Sequence, residues 1–559
     1  MIVSSISIVE PEIIVDKDWW RGAVIYQIYP RSYQDSNGDG IGDLGGIKDR
    51  LDYIAELGAD AVWISPFFKS PMKDFGYDVS NYKDIDPMFG DLHTFDELIE
   101  HAHALDLKVM IDLVMSHTSD QHSWFAQSSS SRDNERHDWY VWSDGKPDGS
   151  PPNNWLSIFG GPGWSWHSTR CQYYQHNFLS SQPDLNFHNP DVQDALLDVV
   201  RFWLDRGVDG FRLDTINFYF CDEELRDNPA LAPELRNADV APEVNPYNYQ
   251  DHLYDKNRPE NVEFLKRFRA VLDEYPAATA VGEVGDAQYG MQILQDYTSH
   301  EDRVHMCYTF DFLSPELPTA QRVAEVMQKF EAEAEDSWVC WAFSNHDVVR
   351  HATRWRLPKK HYLQHLKMLA ALLMSMRGSV CLYQGEELGL PEADIPFERL
   401  QDPYGIAFWP KFKGRDGCRT PMVWDAESDN AGFSTAEPWL PVTEPHRRLA
   451  VSQQAGDEAS LLEQYRRFLK FRRQCNPLIK GALEGISVIG NVLSFLRVHD
   501  DETVYCAFNM GSERVRCEIN TDRQLTLMEG HGFEPVLKDG ALEIPPYSAA
   551  FVKLGQTSA

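Results

Sequence analysis

The chain has 559 residues, more than one typical core holds, so two or three domains are expected, although an α/β barrel alone can be that large. Hydrophobic residues make up 43% and charged residues 25%, the balance of a globular protein rather than a disordered one. A formal net charge of −34 repels nucleic acid and anionic membranes and suits a neutral small-molecule partner.

The opening segment, Met1 to Trp20, lacks a basic stretch followed by an apolar run, so no secretory leader is expected. Gly46 to Leu57 then carries apolar residues at helical spacing and stops at Gly58. Ala61 to Ser65 follows as a short apolar run that reads as a buried strand. The same alternation returns with a helix from Thr94 to Leu105 and a strand from Lys108 to Val114. It returns again after Asn189-Pro190, a capping Asn with Pro at the first helical position. That helix stops at Gly207, and Gly210 to Asp214 is the next strand. Further strands are expected at Ala23–Tyr29, Thr279–Glu283, Val304–Thr309, Trp338–Phe343 and Ser379–Tyr383. Strands alternating with helices pair in parallel, and eight of them imply a closed (β/α)8 TIM barrel of the α/β class, with an open doubly wound sheet as the alternative.

Two stretches break the rhythm. Residues 119–183 are rich in Ser, Gly, Pro, Asn and Trp and follow the third strand, so they are expected to form an inserted domain at the barrel mouth. Trp155, Trp164 and Trp166 there are expected to pack that domain rather than to line a sugar site. A second irregular insertion covers about 391–439. The expected division is 1–118 and 184–478 for the barrel, 119–183 for the insertion, and 479–559 for a C-terminal all-β sandwich, read from runs such as Val488–Arg497 and Thr503–Phe508. The longest apolar stretch, Met368 to Met376, is too short to span a bilayer and reads as a core helix. Nine Cys without a C-x-x-C pair argue against a disulfide framework and against structural zinc. A cytoplasmic monomer or homodimer, engaging neither nucleic acid nor membrane, is the expectation.

Active-site residues of such a barrel lie at the C-terminal ends of strands. Asp112 and His117 follow the third strand, Arg212 and Asp214 close the fourth, Glu283 ends the fifth, and His346 and Asp347 follow the seventh. Arg212 and Asp214 are two apart, so they share one strand face. A single buried ion pair is as often structural as functional, but convergence from four strand ends is hard to explain by packing. Carboxylate pairs without an organic-cofactor motif suit glycoside cleavage, in which one attacks the anomeric carbon and the other protonates the leaving oxygen.

Four segments, Asp112-Leu-Val-Met-Ser-His117, Gly210-Phe-Arg-Leu-Asp-Thr215, Glu283 after Val281-Gly282, and Phe343-Ser-Asn-His-Asp347, resemble the ordered motifs of the α-amylase family of glycoside hydrolases. Gln182-Pro-Asp-Leu-Asn186 further resembles its oligo-1,6-glucosidase and α-glucosidase subgroup. The resemblance implies Asp214 as nucleophile, Glu283 as acid and then base, and Asp347 as the brace of the distorted sugar. It implies that Arg212 keeps Asp214 ionised and that His117 and His346 bond sugar hydroxyls. Asp74-Phe-Gly-Tyr77-Asp78 resembles the segment whose aromatic stacks under the sugar and whose first Asp grips its far end. Arg415 resembles its partner, and the Asp74/Arg415 pair then closes the pocket beyond one glucose, which implies attack at a chain end. Phe178 and Phe159 resemble pocket aromatics. Ser116 stands where Asn is usual. Thr215, where Val accompanies α-1,6 preference, favours α-1,4 links.

Asp35, Asn37, Asp39, Ile41 and Asp43 place oxygens at alternate residues, like the first part of a calcium loop, but Gly46 stands where a bidentate Glu would close an EF-hand. The resemblance implies a structural Ca2+ or Mg2+ here, with the Ile41 carbonyl contributing. The overlapping Gly40-x-Gly42-x-x-Gly45 matches a dinucleotide pattern, but three interleaved acids would repel a pyrophosphate. The expected function is a retaining, exo-acting α-glucosidase for maltose-like α-glucosides, able to transfer glucose to other alcohols. A sucrose hydrolase, sucrose isomerase or oligo-1,6-glucosidase of the same family is the alternative. Isomerases carry an Arg-rich loop after the sixth strand where this chain has Asp311-Phe-Leu-Ser-Pro-Glu-Leu-Pro318. A dead barrel attached to a transporter would need a membrane anchor and lose the catalytic acids.

Overall fold

A computed structural model describes residues 16–555 except 239, 287, 334 and 335. Most of the segment read for a leader, residues 1–15, and the last four residues of the C-terminal region lie outside the described residues.

Eight strands form one parallel sheet: β1 Val24–Ile28, β2 Ala61–Ile64, β3 Lys108–Leu113, β4 Gly210–Leu213, β5 Thr279–Val284, β6 Met306–Thr309, β7 Cys340–Ala342 and β8 Ser379–Tyr383. Each lies beside its neighbour in sequence, β8 beside β1, and a parallel bridge from Cys307 to Val339 joins β6 to the chain just before β7. The order never reverses, so the sheet is a closed TIM barrel and not a doubly wound sheet. Alternation along each strand separates two cores. Ile25, Trp63, Met110, Val281, Met306, Tyr308, Cys340 and Cys381 fill the barrel interior. Val24, Tyr26, Ile28, Val62, Ile64 and Ile111 point outward and are covered by helices.

Helix starts differ from the sequence reading because the caps lie further upstream. Gly46–Leu57 is two helices, Leu44–Asp49 and Leu51–Leu57, that meet at Arg50, and the first is capped by the Asp43 carboxylate, which accepts the Gly46 N–H at 2.7 Å. The next helix starts at Leu92, where Asp91 accepts the Thr94 N–H at 2.8 Å. Such caps are each worth about 1 kcal/mol. Asn189 caps the helix Pro190–Leu204 as read, accepting the Asp191 N–H.

After β3 the chain forms a three-stranded antiparallel sheet of Trp142–Ser143, Trp164–His167 and Gln172–Gln175. Trp155 and Trp164 are buried and stacked there, whereas Trp166 is half exposed. Beyond the barrel, a five-stranded antiparallel sheet (Ala482–Ile489, Val492–His499, Glu502–Asn509, Ser548–Leu554 and Leu525–Leu527) faces a three-stranded one (Val515–Glu518, Ala541–Ile544 and Val536–Lys538). Ala507, Ala550 and Val552 from the first pack against Leu542 and Ile544 of the second. The alternating run Val488–Arg497 spans a hairpin: Gly490, with a φ of 60°, turns the chain between the strand ending at Ile489 and the strand starting at Val492. Among the described residues no helix is long and apolar enough to cross a membrane.

Candidate active site

The C-terminal ends of β3, β4, β5 and the segment after β7 meet under a cavity of about 340 Å³, lined among others by Asp74, Tyr77, His117, Phe159, Phe178, Asp214, Thr215, Glu283, Asp347 and Arg415. Ten of the sequence-predicted residues thus share one wall. Arg212 and His346 do not line it; both are fully buried beneath it.

Arg212 organises the floor. One guanidinium nitrogen donates to Asp112 at 2.9 Å and to Asp214 at 2.6 Å, and the other reaches Glu283 at 2.5 Å. Three buried carboxyls therefore share one fixed cation. Burial pushes all three up, Asp112 to about 6 and both Asp214 and Glu283 to about 7, while Arg212 pulls against it. Ionising all three would leave buried charge uncompensated, so the cluster holds a proton near neutral pH. Ionised carboxylate beside protonated carboxyl is the pairing that acid/base chemistry at a glycosidic bond uses.

Thr215 adopts a left-handed backbone (φ 41°, ψ 49°), a costly conformation for a β-branched residue. That turn aims its N–H at Glu283 (3.1 Å) and its hydroxyl at Asp214 (3.2 Å), so one strained residue touches both carboxyls. Ser116, the departure from the usual first motif, sits 3.1 Å from the Thr215 hydroxyl and 2.9 Å from His117 Nδ1. His117 Nε2 donates to the Tyr77 carbonyl at 3.0 Å, so both its ring nitrogens are engaged within the protein.

His346 is held in one tautomer. The Gln27 side-chain amide donates to its Nδ1 at 2.7 Å, so the proton is on Nε2, which faces the Tyr77 hydroxyl; that hydroxyl in turn donates to Asp112 at 3.1 Å. Burial keeps this imidazole far below its ordinary range and neutral. Tyr77 and His346 stack with rings nearly parallel, 5.4 Å apart.

The far end is closed by ions. Arg415 donates to Asp74 at 2.9 Å, to Asp402 at 2.8 Å and to Asp347 at 3.2 Å. Arg419 adds a bond to Asp347 at 2.8 Å. Burial opposes ionisation of Asp347, but the Arg419 and Arg415 cations overcome it and hold this carboxyl well below the usual range. Phe159 packs against Tyr404 and lies under the Arg415 guanidinium, and Phe178 packs on His117. Away from the ions the mouth is apolar: Ile158, Phe218, Val240, Phe310, Leu313 and Val349 line it.

The site residues to which the sequence assigned no role are Tyr308, Gln27, Gln182, Asp402 and Arg419. Tyr308 and Gln27 sit near the ends of β6 and β1 and were reachable by the strand-end rule; the Tyr308 hydroxyl donates to Glu283 at 2.9 Å. Gln182, inside a motif already singled out, donates to Asp74 at 3.1 Å. Asp402 lies in an irregular stretch without periodicity and carries no sequence signal.

The loop Asp35–Asp43 lies away from this cavity. Asp35 accepts N–H groups from Asn37, Gly38 and Gly40 and the Ser434 hydroxyl. Asn37 accepts from Asp39, and Asp39 from Ile41. Its donors are all oxygen, which fits a hard divalent cation. Among the described residues no three His, Cys, Asp or Glu side chains gather as a metal cage, so any ion there would lean on Asn37 and on backbone carbonyl oxygen as well.

A family model described as "Alpha amylase, catalytic domain" matches residues 27–481. The chain is 64% identical to "Probable alpha-glucosidase" of Rhizobium meliloti (strain 1021), over 98% of both chains. It is 35% identical to "Oligo-1,6-glucosidase" of Heyndrickxia coagulans, over 91% of this chain and 95% of that one. Among solved structures it is similar to an alpha-glucosyl transfer enzyme, XgtA, with a TM-score of 0.92 and 50% identity over 96% of this chain and 99% of that one. It also resembles the trehalulose synthase MutB of Pseudomonas mesoacidophila MX-45, with a TM-score of 0.85 and 30% identity over 96% of this chain and 99% of that one.

Proposed function

Because the chain belongs to the alpha-amylase family of glycoside hydrolases, we propose that its cavity removes single glucose units from the non-reducing ends of α-glucosides with retention of configuration. The observation that carries this reading is the sharing of Arg212 by Asp214 and Glu283 at 2.6 and 2.5 Å. Carboxyls gathered on one guanidinium suit the roughly 5 Å spacing of a retaining pair rather than the wider gap that admits a water between them. Asp214 is the nucleophile, Glu283 the acid that protonates the leaving oxygen and then the base that activates the acceptor. Asp347, kept ionised by two arginines, stabilises the positive charge that builds on the sugar ring.

Asp74, Arg415 and Asp402 block the pocket beyond one sugar, which supports attack at chain ends. Thr215 supports maltose over isomaltose. The apolar mouth and the likeness to a glucosyl-transfer enzyme support transfer of glucose to alcohols besides water. A Ca2+ or Mg2+ on Asp35, Asn37, Asp39, the Ile41 carbonyl and Asp43 is part of the proposal. It would brace the loop whose last Asp caps the first helix, and it takes no part in catalysis. A small-molecule carbohydrate substrate follows from the family; a cytoplasmic setting remains part of the proposal.

The testing experiment is Asp214→Asn with maltose and with an aryl α-glucoside. The expected result is loss of turnover by at least about 10³-fold on both with the melting temperature retained. Undiminished turnover would remove Asp214 from the mechanism.

A further inference from the structure

The proposed catalytic carboxyls stand at two strand ends, Asp214 just past β4 and Glu283 at the next-to-last residue of β5, each followed by a loop (residues 215–218 and 285–286), and the separation of those carboxyls decides the chemistry. Pairing between β4 and β5 ends at Leu213 and Gly282; Glu283 and Val284 stay paired with β6, and beyond them the β4–β5 ladder does not tie the two loops together. A polar cross-link does. The Asn217 side-chain oxygen accepts the Gly285 N–H at 3.1 Å, joining the third residue past Asp214 to the second past Glu283. The Asn217 amide nitrogen donates to Asn257 Oδ1 at 2.7 Å, and the Asn257 N–H returns to the Asn217 carbonyl at 2.8 Å. From the other side, Asn257 Nδ2 donates to Asp286 at 2.8 Å. Lys256 Nζ donates to the Gly285 carbonyl at 3.0 Å and pairs with Asp286 at 3.1 Å.

Asn217 and Lys256 are almost completely buried, at 1% and 3% exposure. Burying an ammonium is costly, and in this place its partners are a carboxylate and a backbone carbonyl of the acid/base loop. None of these side chains is needed to close the barrel, and neither Asn217 nor Lys256 lines the cavity.

We propose that Asn217, with Lys256 and Asn257 behind it, is a positioning device that sets Glu283 at its working distance from Asp214. The inference rests on the roles given to Asp214 and Glu283 above. Asn217 reaches Gly285 directly and Asp286 through Asn257, so its loss frees the segment that follows Glu283, whereas the Asp214 backbone stays bonded to the Leu113 carbonyl at 3.1 Å.

The test is Asn217→Ala measured with two substrates. Maltose needs its leaving oxygen protonated; α-glucosyl fluoride departs with little help from an acid. With Glu283 displaced by even about 1 Å, kcat/KM for maltose should fall about 100-fold. For α-glucosyl fluoride, kcat/KM should change by less than about 3-fold, because attack by Asp214 is spared. Lys256→Met should show the same split, more weakly. An equal fall on both substrates, tracking a lower melting temperature, would mean that Asn217 only stabilises the fold and would overturn the proposal. Unchanged values on both would overturn it equally. A wild-type protein that turns over neither substrate would instead refute the glucosidase reading itself.

Discussion

Removing the Tyr308 hydroxyl should move the upper limit of the pH–activity profile. Tyr308 is buried at the end of β6, its ring packed in the barrel interior beside Trp63. Its hydroxyl accepts from Arg212 at 2.9 Å and donates to Glu283 at 2.9 Å. A bond donated to a carboxylate favours the ionised form, so its loss raises the carboxyl's pKa. Hydrogen bonds to charged groups contribute about 1.5–3 kcal/mol, and about 1.4 kcal/mol corresponds to one pKa unit. Tyr308→Phe keeps the ring and its packing, and it should raise Glu283 from about 7 by about one unit or more. The descending alkaline limb of kcat/KM for maltose, which reports deprotonation of the acid in the free enzyme, should shift upward by the same amount. The assay is a paired pH series for wild type and variant. An unmoved limb, or one displaced downward, would refute the reading of Glu283 as an acid restrained by this hydroxyl.

Burial also pushes Glu386 up to about 8, close to Glu387, which is raised as well. A carboxyl raised above its unfolded value of about 4.3 contributes stability that is fully present below that pH and is lost as pH climbs through about 8. Glu386→Gln, which mimics the protonated form at every pH, should melt increasingly above wild type as pH rises from about 6 to about 9; parallel melting curves would contradict this. Chelation of divalent ions should lower the melting temperature, Ca2+ or Mg2+ should restore it, and kcat of the folded protein should stay unchanged. Loss of kcat without a change in melting would contradict a purely structural ion.

The barrel was legible because strands buried on both faces read as apolar runs with a polar residue at the end that meets the cavity. That regularity reached Asp112, Arg212, Asp214, Glu283, His346 and Asp347 directly. It could not tell depth: Arg212 and His346 stand on the same strand ends as the cavity residues but lie beneath them, because the partners that cover them arrive from other strands. Helix starts were misplaced where the cap, Asp43 or Asp91, stands outside the apolar period. The alternating run Val488–Arg497 marked the all-β region but not the hairpin at Gly490, because two strands run together across a two-residue turn. Asp402 and the Asn217–Lys256 cross-link were illegible for a different reason. Their partners are backbone groups and side chains brought in by irregular segments, and no spacing encodes such contacts.

Proton NMR of the first product released from maltose tests the central claim most directly. Two carboxyls gathered on Arg212, one attacking and one protonating, predict that α-glucose appears first and turns to the β anomer only by mutarotation, and that isomaltose is cleaved more slowly. Early β-glucose would mean that water attacks the anomeric carbon directly and would contradict the assignment of Asp214 as a nucleophile.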